Sequence, residues 1–343
     1  MDEEKKKKFL KAFKELGDSL DDLITPSIKN DTALSRIEKH RVNLATNNPV
    51  TMLQLAMPRT DPGNVIECKI RNGESNLKIR SGIITNKEGL DESAGLPYDW
   101  FPRYILLWLS YNVMVTGNRE IFMGHSEAQI LENLNFERQS YLYKDLHKQI
   151  PALLNSELII SYEYPEINIG NEKSNPFQGK GDHREYRRFA TSIDRMGSRV
   201  GNDSAFRILF SEDFYNSIMT NPLLVDIKHV KKLVKGGNCL KVDIYSFLVE
   251  KLYKISVDKP LLIRRHEIED LFGYNNTDKG KFYRDKFSKA LESVLEVYDT
   301  AKVEFSTKDG ITLHHSPPPY PLEKIGAIDK LPDPSWMMPV EDK

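Results

Sequence analysis

Cysteine is scarce in this sequence, with only Cys68 and Cys239 among 343 residues and no Cys-x-x-Cys pair. This scarcity argues against a disulfide framework or a cysteine-rich zinc site, and it predicts a reducing, cytoplasmic compartment. Long apolar runs are also missing, because the longest, at residues 104–109, is far too short to cross a bilayer. The charged start of the chain lacks the apolar stretch of a signal peptide, so we expect neither export nor a membrane anchor.

An excess of charge of either sign is absent too, since 49 Lys and Arg oppose 50 Asp and Glu. A balanced total charge neither requires nor forbids a polyanionic partner. Whether the chain binds one therefore depends on the local distribution of charge. Apolar residues make up 39% and charged residues 29%, which is too apolar for a disordered chain and too charged for a membrane bundle. At about 150 residues per domain, this length predicts two domains.

Catalytic motifs are missing as well. The Gly179-Lys180-Gly181 and Gly280-Lys281 segments do not have the spacing of a phosphate-binding loop and lack its hydroxyl residue. No His-Glu-x-x-His helix or spaced His/Cys set indicates zinc, and no spaced carboxylates indicate a two-metal nuclease. The pair His314-His315 is more typical of a surface than of a ligand set. We therefore predict that the protein is not an enzyme and uses no metal or cofactor.

Hydrophobic patterning divides the chain into four segments. An amphipathic helix is predicted for residues 3–23, and short strands of a small antiparallel sheet for residues 50–57, 65–71 and 77–84. The predicted segments are an N-terminal amphipathic helix and polar segment at 1–48, a first domain with the preceding small sheet at 49–210, a second domain at 211–318, and a Pro-rich tail at 319–343.

The two predicted domains repeat one order of elements. In the first, a buried helix at 97–118 precedes a short helix capped by Ser126 and a longer helix, in which Pro151 should cause a kink or start a new turn. Two β-prone stretches follow, at 158–164 and 205–210. In the second, helices are predicted at 241–255, 266–272 and 281–298, followed by a hairpin at 303–313. This order is typical of a winged helix-turn-helix. The predicted fold class is therefore α+β, mainly helical, with two tandem winged helix-turn-helix domains.

The third helix of each predicted domain carries a polar face that is rich in hydrogen-bond donors. Such a helix fits the major groove of DNA, where Arg and Lys address guanine and Gln addresses adenine. Phe282 and Tyr283 are expected to pack in the core or at its rim and not to stack on bases. An ordinary solvated surface is the alternative for either helix alone, whereas two such helices in matching positions favour double-stranded DNA binding. In the first domain the candidate contacts are Ser140, Tyr143, Lys144, His147 and Lys148 on the third helix, preceded by Arg138 and Gln139. In the second domain they are Lys279, Lys281, Arg284, Lys286 and Lys289.

A further cluster of arginines lies between residues 178 and 199. Arg184, Arg187 and Arg188 are predicted to lie in a long loop between the two wing strands. From there they could reach backbone phosphates or an adjacent minor groove. A solvated loop without a partner is the alternative for any single arginine.

Seven motifs follow one another between residues 50 and 318. They are GLPY at 95–98, PRYILLWL at 102–109, REIFMGHS at 119–126, LFSEDFY at 209–215, VDIYSFL at 242–248, LFG at 271–273 and ITLHHSPP at 311–318. In their order and spacing they resemble plasmid-encoded RepA-type replication initiators. The resemblance implies tandem winged helices that bind repeated origin sequences, called iterons, open the adjacent AT-rich DNA and recruit the host initiator and replicative helicase. It also implies a possible homodimer that represses its own gene.

Two other functions are compatible with the same pattern. One is a sequence-specific transcriptional repressor of a mobile element, and the other is an interaction scaffold that does not bind DNA. Direct repeats in a footprint would indicate an initiator, a palindrome a repressor, and no footprint a scaffold.

Overall fold

The computed structural model describes residues 46–73, 75–85, 88–169, 177–196, 205–273 and 276–320. The predicted N-terminal helix at 3–23 and residues 321–343 of the predicted tail lie outside this range. Within it the chain has an α+β fold with small antiparallel sheets. None of the helices that the structure describes is long and apolar enough to span a membrane.

The first described element is helix α1 (Pro49–Ala56), where a strand was predicted. The Asn48 side chain caps it by accepting hydrogen bonds from the backbone amides of Val50 and Thr51, at 3.0 and 3.2 Å. Pro49 occupies the first turn, where its missing N–H is not needed. Every residue of α1 is buried. An apolar run buried on all sides has no period that distinguishes a helix from a strand, which is why the prediction was wrong.

The first half of the chain continues with the predicted trio of helices. Helix α2 (Trp100–Thr116) ends at Gly117, which takes the left-handed conformation with φ 62°. Strand β5 (Glu120–Gly124) leads to α3 (Glu127–Asn133), whose N-cap Ser126 accepts from the Gln129 amide as expected. Helix α4 (Ser140–Leu154) continues through Pro151.

The strands of this half form three sheets. The largest is antiparallel and has the order β1-β2-β6-β7, from β1 (Glu67–Asn72), β2 (Ser75–Arg80), β6 (Glu157–Ile169) and β7 (Phe177–Arg188). Strand β5 pairs with β9 (Ala205–Phe210), which pairs with β8 (Ala190–Met196). A ribbon joins β3 (Ile83–Thr85) to β4 (Asp91–Ser93). The described residues of the long loop predicted before residue 205 are therefore largely strand.

The second half follows its predicted order closely. Helices α5 (Glu212–Thr220) and α6 (Ile227–Leu233) link the halves, and α7 (Cys239–Leu252) opens the second one. Strand β10 (Leu261–Arg264) and α8 (Arg265–Phe272) precede a helical stretch at 279–297, which we call the third helix. It consists of α9 (Lys279–Lys281), a π-helical segment (Phe282–Phe287) and α10 (Ser288–Val297), and the hairpin strands are β11 (Val303–Ser306) and β12 (Gly310–Leu313).

Both halves share the order of elements and the order of strands. The strand that follows α2 and the strand that follows α7 each pair with the last strand of their sheet, and the remaining strand pairs with that last strand: β5-β9-β8 and β10-β12-β11. The first half differs because the β6–β7 hairpin, inserted between α4 and β8, joins β1 and β2 instead. One continuous hydrophobic cluster runs through both halves.

Candidate nucleic-acid interface

Helix α4 buries its leucine face and exposes the predicted donor face. Leu142, Leu146 and Ile150 are at most 5% exposed. The period of these apolar residues therefore orients the helix correctly. Of the seven candidates, Tyr143 is half-buried and the others are exposed: Arg138, Gln139, Ser140, Lys144, His147 and Lys148.

Three of the basic side chains on this face already have acidic neighbours. The Arg138 Nε atom lies 3.1 Å from Glu132 Oε1, and His147 Nε2 lies 3.1 Å from Glu127 Oε1. Lys148 Nζ lies 2.8 Å from Asp61 Oδ2 and donates to the Tyr98 hydroxyl, also at 2.8 Å. For Lys144 no acidic neighbour is recorded in the part of the chain that the structure describes. Lys144 is therefore the cation on α4 whose charge is most available to a ligand.

The contact with Lys148 changes the titration of Asp61. Hydrogen bonds from Lys148, from the Gly63 amide and from Tyr98 lower the pKa of Asp61 to about 2. The same contact raises the pKa of Lys148, since Asp61 and Tyr98 both accept from its ammonium group. This ion pair is therefore fully charged at neutral pH.

The third helix of the second half exposes all five of its candidate cations. Lys279 Nζ lies 2.6 Å from Asp270 Oδ1, and Lys286 Nζ donates to Asn276 Oδ1 at 3.2 Å. Lys281, Arg284 and Lys289 have no recorded ion pair among the described residues. These three side chains form the more available basic surface of this half.

A π-helical segment fixes this helix against the hairpin. The Tyr283 ring stacks on Phe287 at 5.5 Å and on Phe305 at 5.1 Å, and its hydroxyl donates to the Ser306 carbonyl at 2.8 Å. The Arg265 guanidinium lies 5.4 Å from the centre of the same ring. Phe282 and Tyr283 are 3% and 0% exposed, which confirms their predicted core position. The apolar pattern gave no sign of the extra residue in this turn, although π-helical turns often occur at functional sites.

The arginine cluster does not lie in a loop, as was predicted, but on strand β7. Because side chains of a strand alternate between faces, Arg184 and Arg188 share one face and Arg187 takes the other. The half-buried Arg187 donates to Glu185 at 3.0 Å and to the Ser217 hydroxyl at 3.5 Å. The exposed Arg188 lies 3.8 Å from Glu157. The predicted loop position of the three is therefore wrong, because strand pairing fixes them in a sheet and separates them.

An open cleft of about 600 Å³ adjoins the start of α4. Its lining includes Trp100, Phe136 and Tyr141 together with Lys231 and Lys235. The predicted contact Gln139 also lines it. Among the described residues, no group of three or more His, Cys, Asp or Glu side chains is placed to hold a metal ion.

Comparison with solved structures finds similarities to crystal structures, among them two of RctB. The selenomethionine crystal structure of domains 2 and 3 of RctB, a Vibrio replication initiator, matches with a TM-score of 0.46 and 10% identity, covering 77% of this chain and 96% of that one. A second crystal structure of the same domains matches with a TM-score of 0.45 and 12% identity, covering 75% and 85%. No protein-family model matches the chain, and no curated protein matches its sequence. At these TM-scores the likeness assigns neither a family nor a function to this chain.

Proposed function

We propose that this protein is a cytoplasmic plasmid replication initiator whose two winged-helix units bind repeated origin sequences on one DNA duplex. The observation that carries the proposal is the repetition within the chain. Each half has a helix with an exposed, cation-bearing face that follows a short helix and precedes the last two strands of a three-stranded antiparallel sheet. The strand order of these two sheets is the same, although in the first half β6 and β7 are inserted before the last two strands. In a winged helix-turn-helix, this third helix enters the major groove.

The available cations define the contacts that we expect. Lys144 on α4 and Lys281, Arg284 and Lys289 on the third helix of the second half are exposed. Lysine and arginine at such positions neutralise phosphates or read guanine edges. Arg138, His147 and Lys148 would first have to exchange their carboxylate neighbours for phosphates, so we expect them to contribute less.

Two linked units suit an initiator because each one alone buries a small interface. A single module buries about 600–1,000 Å² of protein surface, and linking two raises the effective concentration of the second. In this proposal the protein acts by binding and not by catalysis. The free energy for opening the duplex would then come from binding, through bending of the DNA. The RepA-type motifs support the plasmid assignment and the proposed partners, which are the host initiator, the replicative helicase and a second copy of the chain.

Footprinting on the DNA that flanks the gene tests the proposal. We expect protection of evenly spaced direct repeats, and we expect a plasmid carrying the gene and its flank to replicate in a strain without other initiators. Lys281→Gln/Arg284→Gln should abolish both, whereas Lys228→Gln/Lys302→Gln, exposed cations elsewhere, should preserve both. A protected palindrome without replication would identify a repressor, and no protection would identify a scaffold.

A further inference from the structure

The outer face of the sheet β1-β2-β6-β7 is strongly basic. Its inner face supplies Ile70, Leu77 and Leu158 to the core. Because side chains alternate along a strand, the register places the next residues together on the opposite face. Six cations share that face, which we call the basic sheet face: Lys69, Arg71, Lys78, Arg80, Arg184 and Arg188.

The acidic residues of the basic sheet face do not balance these charges. Within the rows that the register aligns with β1 and β2, the described carboxylates on this face are Glu67 and Glu157. Glu67 accepts from Lys78 at 3.1 Å and lies 3.7 Å from Arg80, so one carboxylate serves two cations. These rows therefore carry a clear excess of positive charge.

Two of the lysines oppose each other directly. Lys69 and Lys78 are cross-strand partners, and like charges in such a pair destabilise a sheet. Glu67 offsets part of this repulsion through its contact with Lys78, and departures from a local rule of this kind are expected at functional sites. An anion lying across β1 and β2 would remove this repulsion.

The chemistry of the face selects a nucleic acid strand. Four of its six cations are arginines, whose planar guanidinium groups bind phosphate oxygens in pairs. Tyr186, the cross-strand neighbour of Ile159 on the same face, is 53% exposed and offers an aromatic ring for base stacking. Arginines together with an exposed aromatic ring are typical of surfaces that bind unpaired strands.

The shape of the face favours an unpaired strand over a duplex. Four strands about 4.8 Å apart span about 14 Å, which is wider than the major groove at about 12 Å. A duplex could meet this face with its backbone alone and could not bring a base onto Tyr186. We propose that the basic sheet face binds single-stranded DNA. It adds a second surface to the proposed duplex interface and can be tested apart from it.

Fluorescence anisotropy with the full chain tests this binding. The probes are a labelled single strand of mixed sequence, about 16 nucleotides long, and the duplex of the same sequence. Lys69→Gln/Arg71→Gln should weaken single-strand binding and reduce the slope of log affinity against log salt by about 1.4, or about 0.7 for each phosphate that is no longer neutralised. Tyr186→Ala should weaken it about fivefold or more. Duplex affinity should stay within about twofold of that of the unmodified protein.

Matched variants separate this surface from the duplex interface. Lys228→Gln/Lys302→Gln removes the same charge elsewhere and should leave the single-strand slope unchanged. Lys281→Gln/Arg284→Gln should weaken duplex binding and spare single-strand binding. The proposal fails if Lys69→Gln/Arg71→Gln and Tyr186→Ala both bind the single strand like the unmodified protein. It also fails if Lys228→Gln/Lys302→Gln loses as much single-strand affinity as these variants, or if the variants lose single-strand and duplex affinity in parallel. The exposed positions of Lys69 and Arg71 should leave folding intact, which circular dichroism checks.

Discussion

Arg103 and Asp243 form an ion pair that is completely buried, with 2.8 Å between Nε and Oδ1. The pair joins α2 in the first half to α7 in the second. Arg103 also donates to the carbonyls of Met57 and Asp99, at 2.8 and 2.7 Å, and Arg59 Nε lies 3.1 Å from the other oxygen of Asp243. The charges of the pair thus have several hydrogen-bond partners where the two halves meet.

Removal of one partner from this pair should destabilise the protein strongly. Asp243→Ala leaves the buried Arg103 charge uncompensated, and such changes reduce the free energy of unfolding by about 3–5 kcal/mol. Urea denaturation followed by circular dichroism measures this. Arg207→Ala, which removes the exposed pair with Glu120 at 3.0 Å, should cost less than about 1 kcal/mol. If Asp243→Ala and Arg207→Ala lowered the free energy of unfolding equally, the buried pair would not stabilise the contact between the two halves.

Ion pairing should rank the cations of the proposed duplex interface. Lys144→Gln should reduce the salt slope of duplex binding by about 0.9, the value for one phosphate contact on B-DNA. Lys148→Gln should change it less, because Lys148 is held by Asp61 at 2.8 Å. Asp61→Asn should release Lys148 and strengthen duplex binding. Anisotropy titrations over a salt series measure these slopes, and a larger effect at Lys148 than at Lys144 would refute the ranking.

Local signals in the sequence predicted much of the fold. The Ser126 cap, the leucine period of α4 and the turn before Gly310 each depend on neighbouring residues, and each appears in the structure. The exposed side of α4 could be predicted for the same reason, since a buried stripe determines its opposite face.

Features that depend on distant partners could not be predicted. The pairing of β2 with β6 joins residues about 80 positions apart, and it places the arginines of β7 on a sheet rather than in a loop. The sequence also did not show that three candidate DNA contacts, Arg138, His147 and Lys148, are held by carboxylates. Their partners Glu132, Glu127 and Asp61 become neighbours only through folding. Arg103 and Asp243 both lie in motifs of the RepA-type resemblance, yet only the structure shows that they touch.

The Tyr283 hydroxyl should contribute measurably to stability. Tyr283→Phe keeps the ring stacked on Phe305 but removes the hydrogen bond that the hydroxyl donates to the half-buried Ser306 carbonyl. A loss of about 0.5–1.5 kcal/mol in the free energy of unfolding is expected for one such hydrogen bond. Tyr141→Phe is the matched control, because Tyr141 is 52% exposed, and it should change stability little. No difference between the two variants in urea denaturation would show that the hairpin contact is unimportant.

Lys254 should make stability rise with pH in the alkaline range. Burial lowers its pKa to about 8 and nearby Lys251 adds to the effect, while Glu250 opposes it. The unfolded chain keeps a pKa of about 10.4, so between about pH 8 and 10 the unfolded state binds more protons and rising pH favours the folded state. Below about pH 8 both states are protonated, and the folded state carries the unfavourable buried charge.

Lys254→Met removes the titrating group at similar length. The free energy of unfolding of the unmodified protein, minus that of the variant, should therefore increase from pH 8 to pH 10. A difference that stays constant or falls over this interval would show that Lys254 is charged in the folded protein as it is in water.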